Sequence, residues 1–204
     1  FMCGDVMTGR GIDQVLAHPS DPLIHESYLK SARGYVKLAE AANGPIRQPV
    51  SFGYIWGDAL ETLEAARPDL RIINLETSVT ESDTFWPGKG IHYRMHPANT
   101  PCLTAAGIDC CVLANNHVLD WGERGLKETL QVLGQAGLQT AGAGRDRAQA
   151  ERRLDGRVAR LGGVQPGALR RFAKVCGRVT TSPAYTSPGS AGAGKRTRTS
   201  HPPP

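Results

Sequence analysis

The chain has 204 residues, 40% of them hydrophobic, enough for one compact soluble domain plus a tail. No stretch nears the roughly 18 consecutive apolar residues that a membrane-crossing helix needs, and the opening FMCGDVM lacks the basic and apolar regions of a secretory leader. The formal charge of +5 divides unevenly: residues 1–150 hold 13 Lys and Arg against 17 Asp and Glu, whereas residues 151–204 hold 11 against only Glu151 and Asp155, so the basic character belongs to the tail.

Short apolar runs alternate with amphipathic stretches along the first 150 residues, the pattern of an α/β fold. Phe1 to Met7 reads as a strand, and Glu26 to Ala42, with Tyr28, Leu29, Ala32, Tyr35, Val36 and Leu38 at helical spacing, as a helix. Trp56 to Ala66 reads as a second helix, with Asp58 near its start and Pro68 beyond its end, followed by a strand over Leu70 to Leu75. Ile108 to Ala114 is a third strand-length run. The polar turn Asn115-Asn116-His117 follows it, then an amphipathic helix from Glu123 to Gln135 closed by Gly137. Arg157 to Leu161 could form one more strand. From about residue 164 Gly, Pro, Ser, Thr and Arg dominate, and a segment of that composition cannot bury enough apolar surface to offset the entropy of ordering. The expected division is a folded part over 1–162 and a basic, disordered tail over 163–204.

Five cysteines, Cys3, Cys102, Cys110, Cys111 and Cys176, are odd in number and show no zinc spacing. They read as small apolar fillers in a reducing compartment, which favours a cytoplasmic place for the chain. Because the sequence opens on Phe1 directly into a strand, residues upstream are expected to be missing. Were an anchor among them, the protein would be membrane-associated or extracellular.

Three strands deliver polar groups to their C-terminal ends, the edge at which open α/β sheets bind ligands. Asp5 lies in GDVMTGR among Gly4, Gly9 and Gly11, whose backbone can turn tightly around an anion; its carboxylate suits a hard divalent cation, or else caps a turn. Glu76 follows an apolar run in IINLETSVT, with Asn74 and Thr77 beside it, and reads either as a ligand or as a solvated loop residue. VLANNHVLDWG is the most specific segment: an amide oxygen can ligate a hard metal, and the adjacent His117 can donate a proton to a leaving oxygen. The structural alternative there gives Asn115 a left-handed turn, Asn116 a capping role and Asp120 the start of the next helix. His92, Arg94 and His96 alternate in GIHYRMHP, so an extended backbone puts them on one face, either to receive a phosphate or carboxylate or simply to meet solvent. Gly142 to Gly144 is too short for a dinucleotide fingerprint, and the tail has no interleaved aromatics for nucleic acid, so neither partner is favoured.

Taken in order, GDVMTGR, YIWGDAL, NLETSVT, YRMHPAN and LANNHVLDWG resemble the successive signatures of the CapA family of capsule and poly-γ-glutamate biosynthesis proteins, over about residues 3–150. The resemblance implies a metallophosphoesterase-like two-sheet α/β/β/α sandwich, incomplete here, with Asp5, Glu76 and Asn116 as metal ligands and His117 as general acid. Asn115 and Asp120 would support the turn, and Arg10, Arg94 and His96 would meet the substrate. It further implies divalent cofactors (Mn, Mg, Fe or Zn), an anionic small molecule or polymer as substrate, and the capsule-synthesis machinery as partner. The family's later His-Trp-Gly and Gly-His-x-His segments are not found. After residue 150 the one histidine is His201, which leaves the metal site incomplete and points to a truncated remnant or accessory binder as the alternative. The abrupt change near residues 158–165 reads as a frameshift in a GC-rich gene or a truncated gene model. Half of such a domain is expected to expose an unpaired sheet edge and to aggregate.

Overall fold

A computed structural model describes residues 1–150; the expected strand at Arg157–Leu161, the boundary after residue 162 and the tail lie outside the described residues. The fold is mixed α/β. Four parallel strands, β1 (Met2–Val6), β2 (Ile72–Leu75), β5 (Cys110–Val112) and β6 (Gln139–Ala141), pair in the order β1-β2-β5-β6. A second parallel pair joins β3 (Ser78–Val79) to β4 (Arg94–Met95). The helices are α1 (Arg10–Val15), α2 (Arg33–Asn43), α3 (Ala59–Ala66), α4 (Pro101–Ala105), α5 (Gly122–Gln135) and α6 (Arg147–Ala150).

Side chains alternate across the four-stranded sheet, so its two faces bury different sets. Ile73, Leu75, Cys111 and Leu113 enter the main core with Val79, Met95, Leu103 and Leu133, while Ile72, Cys110 and Ala141 form a smaller cluster. Helix α5 packs against β3 and β6, and α1 packs against α2 and β4. β1 pairs through Cys3 with Ile73 and through Val6 with Leu75, so Gly4 and Asp5 together stand opposite the single residue Asn74. That extra residue is a β-bulge, a device that re-aims a side chain beside a functional edge.

Several expected elements are shifted. The helix expected from Glu26 begins at Arg33, because residues 22–32 close a small loop: Leu23 bridges Ser31, and the Ala32 N–H donates to the Pro22 carbonyl. Glu26, placed by periodicity on a helix, is fully buried as the partner of Arg10. The helix expected over Trp56–Ala66 divides into a 3₁₀ turn over Tyr54–Trp56 and α3, since Gly57 takes φ +50° between them; Asp58 precedes α3 but its side chain makes no capping hydrogen bond. The strands at Leu70–Leu75 and Ile108–Ala114 are found as the shorter β2 and β5. The sequence reading missed β6, the β3-β4 pair and the helices α1, α4 and α6. Among the described residues no helix is long and apolar enough to cross a membrane.

Candidate functional site

The ends of β1, β2 and β5 meet at one edge, where their polar side chains form a continuous relay. Asn74 Nδ2 donates to Asp5 Oδ1 (2.6 Å), and Asn115 Nδ2 donates both to Asn74 Oδ1 (3.0 Å) and to the Leu75 carbonyl (2.9 Å). Asn115 Oδ1 in turn accepts the His117 backbone N–H (2.9 Å). The Asn115 side chain thus ties the end of β2 to the turn that presents His117.

His117 is buried and held by Asp120, whose Oδ2 lies 2.6 Å from His117 Nδ1. Asp120 is fully buried and also accepts from the Tyr93 backbone N–H (2.6 Å) and from Lys89 Nζ. With a carboxylate this close, the hydrogen-bond network assigns the proton to Nδ1, leaving Nε2 free on the side of Glu76, whose Oε1 is 3.8 Å away. Lys89 also donates to the Asn116 carbonyl, so the loop over residues 80–93 is pinned to this turn. The Asn116 side chain is exposed, as is Asp5; Glu76 is partly buried.

The His117 ring stacks on Tyr93, with centroids 3.9 Å apart and planes 24° off parallel. The Arg10 guanidinium carbon lies 4.7 Å from the Tyr93 centroid and 4.8 Å from that of Tyr35. Two groups this close to one ring cannot share a face, so Tyr35, Arg10, Tyr93 and His117 form successive layers. Arg10 Nε donates to Glu26 Oε1 (2.6 Å), and the Tyr35 hydroxyl donates to Glu26 Oε2 (2.5 Å). Burial raises the pKa of both tyrosines further above the ordinary value.

Asp5, Glu76, Asn115, Asn116, His117 and Asp120 are therefore neighbours, with Arg10 one layer behind. Arg94 and His96 lie elsewhere. They line an open pocket of about 400 Å³ with Asp21, His25, Glu81, Asp83 and Trp121, a lining that contains none of Asp5, Glu76, Asn116 or His117. Arg94 sits 4.1 Å over the Trp121 ring and donates to the Ser82 and Asp21 carbonyls, and His96 Nε2 lies 3.2 Å from Glu81 Oε1. His92 does not reach that lining: it is buried, with Nε2 2.7 Å from the Trp86 carbonyl. The residue that meets His117 is Tyr93, on the opposite face of this extended segment. Lys89 and Glu26 had no motif to announce them, Tyr35 was read only as part of a helical face, and Tyr93, although it opens YRMHPAN, was given no role; its signal was an aromatic interleaved with the alternating His92, Arg94 and His96.

Among the described residues no three His, Cys, Asp or Glu side chains group as a metal cage. A hard cation at this edge would rest on the two carboxylates Asp5 and Glu76, with amide oxygen and water completing its shell, a donor set that suits such ions. Among the described residues none of Cys3, Cys102, Cys110 and Cys111 forms a disulfide; the last three are buried, in line with apolar fillers, whereas Cys3 is exposed, and Cys176 lies outside the described residues.

An α/β edge with this succession of motifs belongs to the bacterial capsule synthesis proteins: the chain matches that family, PGA_cap, over residues 1–170 and is a member of it. It is 50% identical over 149 residues to a probable polyglutamine synthesis accessory protein of Mycobacterium tuberculosis, an alignment covering 73% of this chain and 39% of that one. An uncharacterized protein of Sinorhizobium fredii is 37% identical over 100 residues, 47% of this chain and 21% of that protein. The capsule biosynthesis protein CapA of Bacillus anthracis is 23% identical over 143 residues, 70% of this chain and 28% of CapA. The chain thus spans well under half the length of these relatives.

Proposed function

We propose that this chain carries the first half of a metal-dependent, metallophosphoesterase-like hydrolase site serving capsular polyglutamate synthesis, and that β1-β2-β5-β6 is one sheet of the two-sheet sandwich such a site needs. The observation that carries this reading is the His117–Asp120 pair facing Glu76 at the end of a parallel sheet. Asp5, Glu76 and Asn116 would hold the cation, Mn²⁺, Mg²⁺, Fe²⁺ or Zn²⁺, which when bound activates water and polarises the bond under attack. His117 protonates the leaving oxygen from Nε2, because Asp120 occupies Nδ1 and stabilises the charged ring. Asn115 orients the turn, and Lys89 balances the buried Asp120 carboxylate.

Calorimetry of Mn²⁺ binding, paired with turnover of a generic phosphodiester, tests this. Binding that is lost in Glu76→Gln and turnover that is lost in His117→Ala support it; no Mn²⁺ binding at millimolar concentration sinks it. A second reading, a non-catalytic accessory binder, is favoured by the absence of a three-carboxylate or histidine cluster among the described residues and by the accessory role in the name of the Mycobacterium tuberculosis relative. It predicts Mn²⁺ binding without turnover.

A further inference from the structure

Arg10 is built into the fold with more care than a structural ion pair needs. Gly9 and Gly11 flank it, and both are close-approach positions: a Cβ on Gly9 would stand 2.9 Å from the Arg94 carbonyl, and one on Gly11 would stand 3.0 Å from Tyr35 Cβ. Between them Arg10 takes φ +50°, a left-handed conformation that costs a non-glycine residue energy. The guanidinium is then held between two tyrosine rings, its carbon 4.8 Å from the Tyr35 centroid and 4.7 Å from that of Tyr93, with Nε on the fully buried Glu26. Its Nη2 is buried and has no acceptor among the described residues, and the buried Thr8 hydroxyl, two residues earlier in the same loop, has no partner either. Fixing a planar fork so firmly while leaving donors unmatched is what a preorganised oxyanion receptor requires. Nη2 itself is closed off, whereas the side chain as a whole keeps 15% of its surface open.

We propose that Arg10 is an oxyanion subsite beside the His117 centre, reading a non-reacting carboxylate or phosphate of the substrate. This rests on the proposed anionic substrate but not on the cation. Tyr93 separates the guanidinium from the His117 imidazole by one ring thickness, so the group on Arg10 flanks the reacting bond. A substrate with acidic groups at regular intervals offers such a neighbour, and one with a single acidic group offers none. Lys could keep the charge but not the stacked fork.

The test uses the whole 204-residue chain without metal, titrated at constant ionic strength with inorganic phosphate and, separately, with glutarate. The NMR signal of the Arg10 Nε–H should move saturably with at least one probe, and which one saturates assigns phosphate or carboxylate chemistry. Arg10→Gln and Arg10→Lys should each weaken that binding at least tenfold. Glu76→Gln should leave it within about threefold while removing Mn²⁺ binding, so failure of the cation reading is seen separately. Wild-type affinity in folded Arg10→Gln overturns the proposal. Should neither variant fold, the wild-type signal decides alone: an Nε–H unmoved by both probes overturns it equally.

Discussion

His117 Nδ1 and Asp120 Oδ2 lie 2.6 Å apart within one buried turn, so the imidazole has a fixed orientation and one free nitrogen. Replacing Asp120 by Asn keeps the shape of the turn but removes the charge that stabilises a protonated ring. Mn²⁺-dependent phosphodiester turnover should fall about 100-fold or more in Asp120→Asn. Mn²⁺ affinity should stay within a few-fold, and equal losses of both would assign Asp120 to the cation instead.

Gly9 and Gly4 should respond differently to the same added methyl. The Cβ of Gly9→Ala meets the β4 backbone at 2.9 Å, whereas that of Gly4→Ala meets nothing within 4 Å. Thermal unfolding should show Gly9→Ala destabilised by about 1–3 kcal/mol and Gly4→Ala within about 0.5 kcal/mol of wild type. Equal melting points would contradict the close approach of this loop to β4.

Arg94 ties three segments together through the Ser82 carbonyl, the Asp21 carbonyl and the Trp121 ring. Arg94→Met should cost roughly 2–3 kcal/mol in chemical denaturation, since two carbonyls lose a charged donor. Mn²⁺ affinity should not change, because the Arg94 pocket does not include the cation ligands proposed above. A large loss of affinity with little loss of stability would place Arg94 in the functional site after all.

Alkali should unfold the protein through its buried thiols. Burial pushes the Cys102 thiol up from its ordinary 9.0 to about 12 and raises Cys111 likewise. Above pH 9 the unfolded chain sheds these protons and the folded one keeps them, so stability is full below pH 9 and falls as pH rises toward 12, by about 1.4 kcal/mol per pH unit for each thiol. Cys102→Ala should flatten that decline while lowering stability at pH 7. An identical alkaline slope in the variant would remove Cys102 as a cause.

Apolar runs made β2 and β5 legible because both are buried in the sheet, and α5 because it buries one helical face at Gly125, Thr129 and Leu133; β1 was legible as an apolar run although Met2 to Asp5 stand exposed at the sheet edge. β6 was missed since Gln139-Thr140-Ala141 carries no such run and earns its place only by pairing with β5. α2 was drawn too long because Tyr28 and Leu29 mimic helical spacing, although Tyr28 is 70% exposed and the true partner of this stretch is Arg10. Motif residues at strand ends could be named because chain order brings them to one edge. Lys89, Tyr93 and Glu26 could not: each reaches its partner across a loop whose path depends on tertiary packing, and no local pattern encodes that path.

The bulge in β1 settles which residue faces the core at the strand's end. Were regular pairing carried on from Cys3, the fifth residue would stand opposite Leu75, which points into the main apolar layer, and a carboxylate would be forced into oil. The surplus residue hands that inward slot to Val6 and leaves Asp5 at the rim beside Asn74. Counting, as much as chemistry, keeps this acid at the rim: a one-residue slip in the first strand would turn an exposed carboxylate into a folding defect.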